Sequence, residues 1–464
     1  MSNVAPLRAG GLGELPPGCE VGEHSLGTGR YIDPAFAKLE RDKLWLKVWQ
    51  MAARLDEIPG PGDYTTYEIL DQSVIVVRVD ENTVKAYQNF CPHRGTALSQ
   101  GCGHFDRGRI VCPYHGWRWD LAGRVQYILE RAEFRGGKLQ DSDVSLREVQ
   151  CEVFAGFVFI NFDRNCQSFA EHIAPVRQII EDLAIGQMHH YWWKSLKVPA
   201  NWKVAQEAFH EAYHLSATHP QLDRAGRDVI YGDRQDAPFG HRNVHYETYP
   251  NGHGRFHAKP QRSPIGGFTA ESQTGDAIED MIRRIELLVT GLDAMVLPED
   301  LETAKQLRNH PIPAGSSLGA EYVKLLYERA ARQNRPMPQP KPEVLAQWGG
   351  EVFVFPNLLI LPNAGNGMFY RARPDGLDPD KCIFEIFSTR TYAPTDPYPR
   401  AVVQQMTDGS DPKQFNLIPR QDCSNIPRVQ KGLHCVGMTR AWLADYQEQV
   451  IMNMHRELDR YLRA

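Results

Sequence analysis

The chain has 464 residues, about twice the size at which a single core stops growing, so two domains are expected. Its 42% hydrophobic and 23% charged residues fit an ordinary globular protein rather than a disordered or fibrous one. A net charge of −5, without any concentrated run of Lys and Arg, argues against a general nucleic-acid binder.

The first 22 residues contain no basic stretch followed by an apolar one, so no signal peptide is read and a cytoplasmic location is expected. Residues 33–50 predict a leading helix, with Asp33 as N-cap and Pro34 at the first helical position. From about Gly62 to Phe162 the text changes to short alternating runs, "YTTYEIL", "SVIVVRV" and "FAGFVFINF", separated by Gly, Asn and Asp; this predicts a small β domain. Residues 170–220 read mainly as helix, including "EHIAPVRQIIEDLA" and "NWKVAQEAFHEAYHLSATHP". Residues 221–275 lack periodicity and predict long loops. Helical patterns return at "AIEDMIRRIELLV" and "AEYVKLLYERAAR", and a Pro-rich connector follows at 335–343. Strands are expected in "EVFVFPNLLILP", "GMFYRAR" and "CIFEIFSTRTYA", and a long closing helix over 439–462. The second half is therefore α+β, an antiparallel sheet with helices packed on it. The expected division is 1–44 for an N-terminal segment with the leading helix, 45–165 for the β domain and 166–464 for the second domain. No apolar run approaches the roughly 20 residues of a membrane span.

Nine cysteines, an odd number spread over a large chain, suggest reduced thiols and metal ligands rather than a disulfide framework. Inside the β domain, Cys91-x-His93 and Cys112-x-x-His115 are separated by eighteen residues that include Gly101, Gly103 and Gly108, so each pair can occupy a hairpin tip. Two thiolates and two imidazoles suit a structural zinc. A zinc finger, however, keeps its cysteines together and its histidines together, whereas here each loop supplies one of each. That mixed order fits a two-iron cluster with one iron held by cysteines and the other by histidines. Pro92, Pro113, Gly95 and Gly116 suit tight ligand loops. Cys102-x-His104 is a rival pair without the Pro and the following Gly, and reads as hairpin sequence.

A second constellation lies in 201–222. His214 and His219 stand near a helix end that Pro220 helps to stop, and with one carboxylate they can form a facial triad that leaves positions on Fe(II) open. Histidines of this kind also cap or pack, and His210 at i, i+4 from His214 is a competitor. His241, His245, His253 and His257 repeat at four-residue spacing in Gly-rich and Arg-rich text, without a nearby carboxylate pattern, and are not read as a metal site.

"CPHRG" with "CPYHGWRWDLAG" resembles the N-terminal domain of Rieske non-haem iron oxygenase α subunits. "NWK", a carboxylate three residues before the first His and H-x₄-H resemble the iron-binding helix of the same family. The resemblance implies an all-β Rieske [2Fe-2S] domain, with Cys91, His93, Cys112 and His115 holding the cluster, followed by a helix-grip catalytic domain. It implies mononuclear Fe(II) held by His214, His219 and, from "RQDCSNIPRVQKGL", Asp422. Many members have two adjacent aspartates there; Gln421 before Asp422 leaves one choice. His210 falls outside the ligand pattern and is assigned a supporting place behind the ligands. Glu211 stands where most members have an Asp that connects the first iron His to a Rieske His of a neighbouring subunit.

The family further implies a homotrimer, sometimes with a β subunit, and electrons from NAD(P)H through a partner reductase, directly or via a ferredoxin. No G-x-G-x-x-G follows a strand here to bind a nicotinamide. The expected reaction uses O₂ to hydroxylate, chiefly by cis-dihydroxylation, a small aromatic or polycyclic hydrophobic substrate. Monooxygenation that removes an O- or N-methyl group is the alternative. A non-catalytic Rieske electron carrier is the alternative from another class, and would need no second iron.

Overall fold

The alternating runs of the first half form antiparallel strands because each has one row of side chains to bury. In the computed structural model, which describes residues 14–222, 244–258, 276–338, 350–363 and 365–464, the chain opens with β1 (Ser25–Gly27). Next come β2 (Gln50–Arg54), β3 (Asp63–Ile69), β4 (Gln72–Arg78), β5 (Val84–Gln88) and β6 (Cys102–His104). In β3 the residues Asp63, Thr65, Tyr67 and Ile69 are the buried row. β10 (Glu148–Phe154) and β11 (Phe157–Asn161) complete a seven-stranded sheet in the order β2-β11-β10-β5-β4-β3-β6. Between its two halves a small sheet forms from β7 (Arg109–Val111), β8 (Arg118–Asp120) and β9 (Val125–Tyr127). The β domain is thus as expected, and Cys102 with His104 is hairpin sequence paired to β3.

The second half is built on an eight-stranded sheet. Its strands are β12 (His189–Val198), β13 (Val244–Thr248), β14 (Gly254–Ala258), β15 (Glu351–Val354), β16 (Leu358–Asn363), β17 (Asn366–Pro374), β18 (Cys382–Arg390) and β19 (Val403–Met406). They lie in the order β13-β14-β15-β16-β17-β18-β12-β19, antiparallel except for the β12–β19 pair. Helices Trp202–Glu207, Leu417–Leu433 and Gln449–Leu462 pack on this sheet or on one another. The expected helices over 171–184, 277–289 and 320–332 are present as Phe169–Asp182, Ala277–Leu292 and Leu318–Arg332.

Four expectations change. The leading helix is shorter, Pro34–Glu40 with a wider turn over Arg41–Trp45, because Gln50 has to pair with Ile160 in β11. The closing helix begins only at Gln449: Arg440–Trp442, read as helix, forms β20 and pairs with β1, so tertiary pairing overrides local propensity. The helix over 201–220 is broken. Trp202–Glu207 ends, the chain turns, and a short helix Leu215–Thr218 follows. Part of the expected loop region forms the β13–β14 hairpin. Residues 223–243 and 259–275 of that region, and 339–343 of the Pro-rich connector, lie outside the described residues.

The two halves share a core. Trp49, Met51, Phe157 and Phe159 from the β domain cluster with Phe169, Trp193, Phe369 and Phe387. Burying one such aromatic stabilises by about 1.5–3 kcal/mol, so the β domain is fixed to its neighbour rather than tethered. Arg371 adds polar fastening: it pairs with Glu385 in β18 and donates to the carbonyls of Met51 and Ala52 at 3.1 and 3.0 Å. The N-terminal segment packs on the second half. Arg30 pairs with Asp459, and Lys203 with Glu40 at 2.7 Å, both pairs linking distant parts of the chain.

Candidate metal centres

Both Cys/His loops have the same construction. The Cys91 N–H donates to the Thr96 carbonyl and the Gly95 N–H to the Cys91 carbonyl, each at 2.8 Å. Likewise the Cys112 N–H donates to the Trp117 carbonyl at 2.8 Å and the Gly116 N–H to the Cys112 carbonyl at 3.1 Å. Gly95 and Gly116 take φ of +80° and +68°, which a residue with a Cβ rarely adopts, so glycine closes both loops. Asn89 ties down the first loop by accepting from the Leu98 and Ser99 N–H groups.

The loops place Cys91 and Cys112 inward and His93 and His115 half-exposed, with the two imidazoles 4.7 Å apart and at 65°. His93 stacks on Trp117 at 4.8 Å. Burial pushes the Cys91 thiol up to about 11, and the adjacent Cys112 opposes its ionisation further. A cation beside both sulfurs would let Cys91 ionise there. The Nδ1 atom of His115 is buried and has no hydrogen-bond partner, which is the state expected of a ligand atom aimed at a metal. The donor set therefore fits a two-iron cluster with two thiolates and two imidazoles.

The second centre assembles residues about 200 positions apart. His214 caps the start of the short helix Leu215–Thr218 and His219 lies just past its end, while Asp422 comes from the helix Leu417–Leu433. Their ligand atoms lie within 4.8 Å of one another. His219 Nε2 is 2.9 Å and His214 Nε2 is 3.8 Å from Asp422 Oδ1. The other ring nitrogens are already committed: His214 Nδ1 donates to Glu211 Oε1 at 2.8 Å, and His219 Nδ1 to Gln421 Oε1 at 2.9 Å. These bonds fix both tautomers so that each Nε2 faces the shared point, the usual arrangement behind ligating histidines. Two imidazoles and one carboxylate on one side of a point form a facial triad suited to Fe(II) with open positions. Burial lowers the His214 affinity for a proton, but the Glu211 hydrogen bond and charge lift it above the ordinary value.

Glu211 also accepts from the His214 backbone N–H, so its carboxylate is held at two points. It lines a groove of about 370 Å³ together with Tyr31, Glu207, His214, Asp422 and Glu448. His210 turns away from the triad. It is fully buried beneath the Phe353 ring, its Nδ1 3.7 Å from Glu351. Among the other histidines, His253 spends both ring nitrogens on the Phe355 N–H and the His172 carbonyl, His241 lies outside the described residues, and His245 and His257 come together with Glu247. The missing carboxylate was therefore present two residues along the strand. Gln421, which no local spacing signals, is the orienting partner that the sequence reading overlooked, and Gln221 holds it in turn.

A family model for the Rieske [2Fe-2S] domain matches residues 48–150. A second, for the ring hydroxylating alpha subunit (catalytic domain), matches residues 185–464, more than half the chain. The chain belongs to the ring-hydroxylating alpha subunit family. Its first domain is a Rieske [2Fe-2S] domain and its second a catalytic domain of the kind that binds mononuclear iron. The alpha subunit is similar to the carnitine monooxygenase oxygenase subunit of Acinetobacter pittii, 31% identical over 39% of this chain and 48% of that protein. It is similar to the glycine betaine monooxygenase oxygenase subunit of Chromohalobacter salexigens, 30% identical over 43% of this chain and 44% of that protein. The matches span about half the length of these relatives. In fold the alpha subunit is similar to a quaternary ammonium Rieske monooxygenase in complex with L-carnitine, with a TM-score of 0.62 at 16% identity over 94% of this chain and 95% of that one. It is equally similar to naphthalene 1,2-dioxygenase with indole bound, with a TM-score of 0.64 at 18% identity over 95% and 92%. The fold alone therefore does not separate the two chemistries.

Proposed function

We propose that this alpha subunit is the oxygenase component of a monooxygenase system that inserts one oxygen atom beside the nitrogen of a small quaternary ammonium compound. The observation that carries the oxygenase reading is the convergence of His214, His219 and Asp422 in a chain that also has a Rieske domain. A pure electron carrier has no use for the triad. The substrate class rests on the two relatives whose names specify carnitine and glycine betaine. They favour N-dealkylating monooxygenation, the alternative at first, over aromatic cis-dihydroxylation.

In this reading Cys91, His93, Cys112 and His115 hold the cluster, and His214, His219 and Asp422 hold the iron. When bound, the cluster supplies electrons one at a time and the iron activates O₂ beside the substrate. Glu211 and Gln421 keep the two imidazoles oriented, and Glu211 is the residue through which His115 of the partner subunit would be coupled in a homotrimer. The balance is simple: O₂, two electrons and two protons give a carbon-bound hydroxyl and water. The hydroxylated carbon, bonded to a cationic nitrogen, then loses its hydroxyl proton. The C–N bond breaks, the amine leaves with the electron pair and a carbonyl compound remains. The electrons come from NAD(P)H through a reductase, with or without a ferredoxin.

A substrate panel with a surrogate reductase tests this. Glycine betaine or carnitine should lose CH₂ or release a free amine, with one oxygen from O₂ in the carbonyl product or in its hydrate. Naphthalene or indole gaining two oxygens and two hydrogens, with no turnover of the ammonium compounds, would restore the dihydroxylase reading.

A further inference from the structure

We propose that the β13–β14 hairpin carries a third metal site, for a zinc-like divalent transition cation, at His245, Glu247 and His257. His245 and Glu247 are two apart on one strand and so project from one face, and His257 is the cross-strand partner of His245. Tyr246, between them, points to the opposite face, where its hydroxyl accepts from the Ala212 N–H beside Glu211. The site is therefore separate from the iron triad, on the other side of the sheet's edge strand.

The three donor atoms converge. His245 Nε2 is 3.4 Å from Glu247 Oε1, and His257 Nε2 is 3.9 Å from Glu247 Oε2. Ligand atoms bonded to one tetrahedral ion at about 2.0–2.1 Å lie about 3.3 Å apart; one donor atom from each of the three residues lies within 4.8 Å of the others, so the side chains draw together on loading. The His245 and His257 rings are 5.3 Å apart at 68°. The His214 and His219 rings, also two imidazoles facing a carboxylate, are 5.3 Å apart at 71°. The same chain thus builds the same ring relationship twice.

Access also suits a cation. The His245 side chain is 46% exposed and that of Glu247 33%, whereas His257 is 5% exposed and anchors the set. Water can complete the coordination from the open side. Glu247 also accepts from the Tyr249 hydroxyl, which orients it, and stands opposite Arg255, whose positive charge weakens the attraction for a cation. The expected affinity is accordingly weaker than that of a closed four-ligand structural zinc site.

The test is a zinc titration of the iron-loaded holoenzyme by calorimetry after passage over a chelating resin. Wild type should take up one zinc per chain beyond its iron. In His245→Ala and in Glu247→Gln that zinc should bind at least tenfold more weakly, with iron content unchanged as proof of an intact fold. Asp422→Ala should keep it. No zinc uptake by wild type, equal affinity in the two hairpin variants, or loss of the zinc in Asp422→Ala alone, which would place it in the iron triad, each overturns the proposal.

Discussion

The two metal regions of this alpha subunit solve the same problem at different ranges. In the Rieske domain all four proposed donor side chains and both loop-closing glycines fall between residues 91 and 116, and backbone hydrogen bonds inside each loop set their directions. In the catalytic domain the proposed donors are His214, His219 and Asp422, and side chains do the orienting: Glu211 for His214 and Gln421 for His219. Each centre combines buried and partly exposed donors: Cys91 and Cys112 are buried beneath the partly exposed His93 and His115, and His219 and Asp422, 2% and 4% exposed, lie beneath His214 at 23%. Local loops suffice to gather the donors of the first centre. A centre that controls O₂ and substrate needs the tertiary fold around it.

If the cluster depends only on its own loops, Cys91→Ala should abolish the red-brown chromophore and all electron delivery. The iron of the catalytic domain should remain, checked by iron analysis and optical spectra of the purified variant. Next in size is Glu211→Gln, which keeps the side-chain length but removes the charge held between His214 and the groove. Reduced cluster and iron should both persist, while cluster oxidation in a single turnover slows about 10–100-fold, the usual range for losing a partner of a ligating His. Rates equal to wild type by stopped flow would move the coupling route elsewhere. Gln421→Leu should weaken iron binding about tenfold, read by chelator competition, and leave the cluster spectrum untouched.

The smallest effect concerns Glu207, four residues before Glu211. It accepts from the Tyr31 hydroxyl and, at 2.7 Å, from His455, whose other ring nitrogen accepts from Arg30. Burial nevertheless pushes its carboxyl up to about 8. The folded state therefore binds this proton more tightly than the unfolded chain does. The stability it contributes is fully present below the ordinary Glu value of about 4.3 and is lost as pH rises through about 8. Glu207→Gln stays neutral and lacks this slope, so the wild-type urea midpoint should fall relative to the variant between pH 5 and 8. Parallel profiles would mean that Glu207 is ionised in the folded protein throughout.

The same contrast of range explains what was legible in the sequence. The proposed cluster ligands were suggested by spacing because the loops that carry them are local, and His104, the rival, is hydrogen-bonded to Asp63 at 3.0 Å. Asp422 was reached through family resemblance, since nothing near it in the text points to residues 214 and 219. Gln421 entered only as the neighbour that leaves Asp422 unambiguous; its bond to His219 spans 202 residues and has no sequence signal. Arg440–Trp442 sits in text with helical periodicity, and only its pairing with Ser25–Gly27 makes it a strand. Glu247 stood two residues from His245, but a cross-strand partner was needed before the pair meant anything.

The separation of the two centres is tested most directly by iron analysis and electron paramagnetic resonance of reduced Asp422→Ala. Wild type should hold about three iron atoms per chain, two in the cluster and one in the triad. The variant should hold about two, with the reduced-cluster signal unchanged and turnover lost. Full iron and full turnover in Asp422→Ala would contradict the assignment of the triad, and loss of the cluster signal would contradict the independence of the two regions.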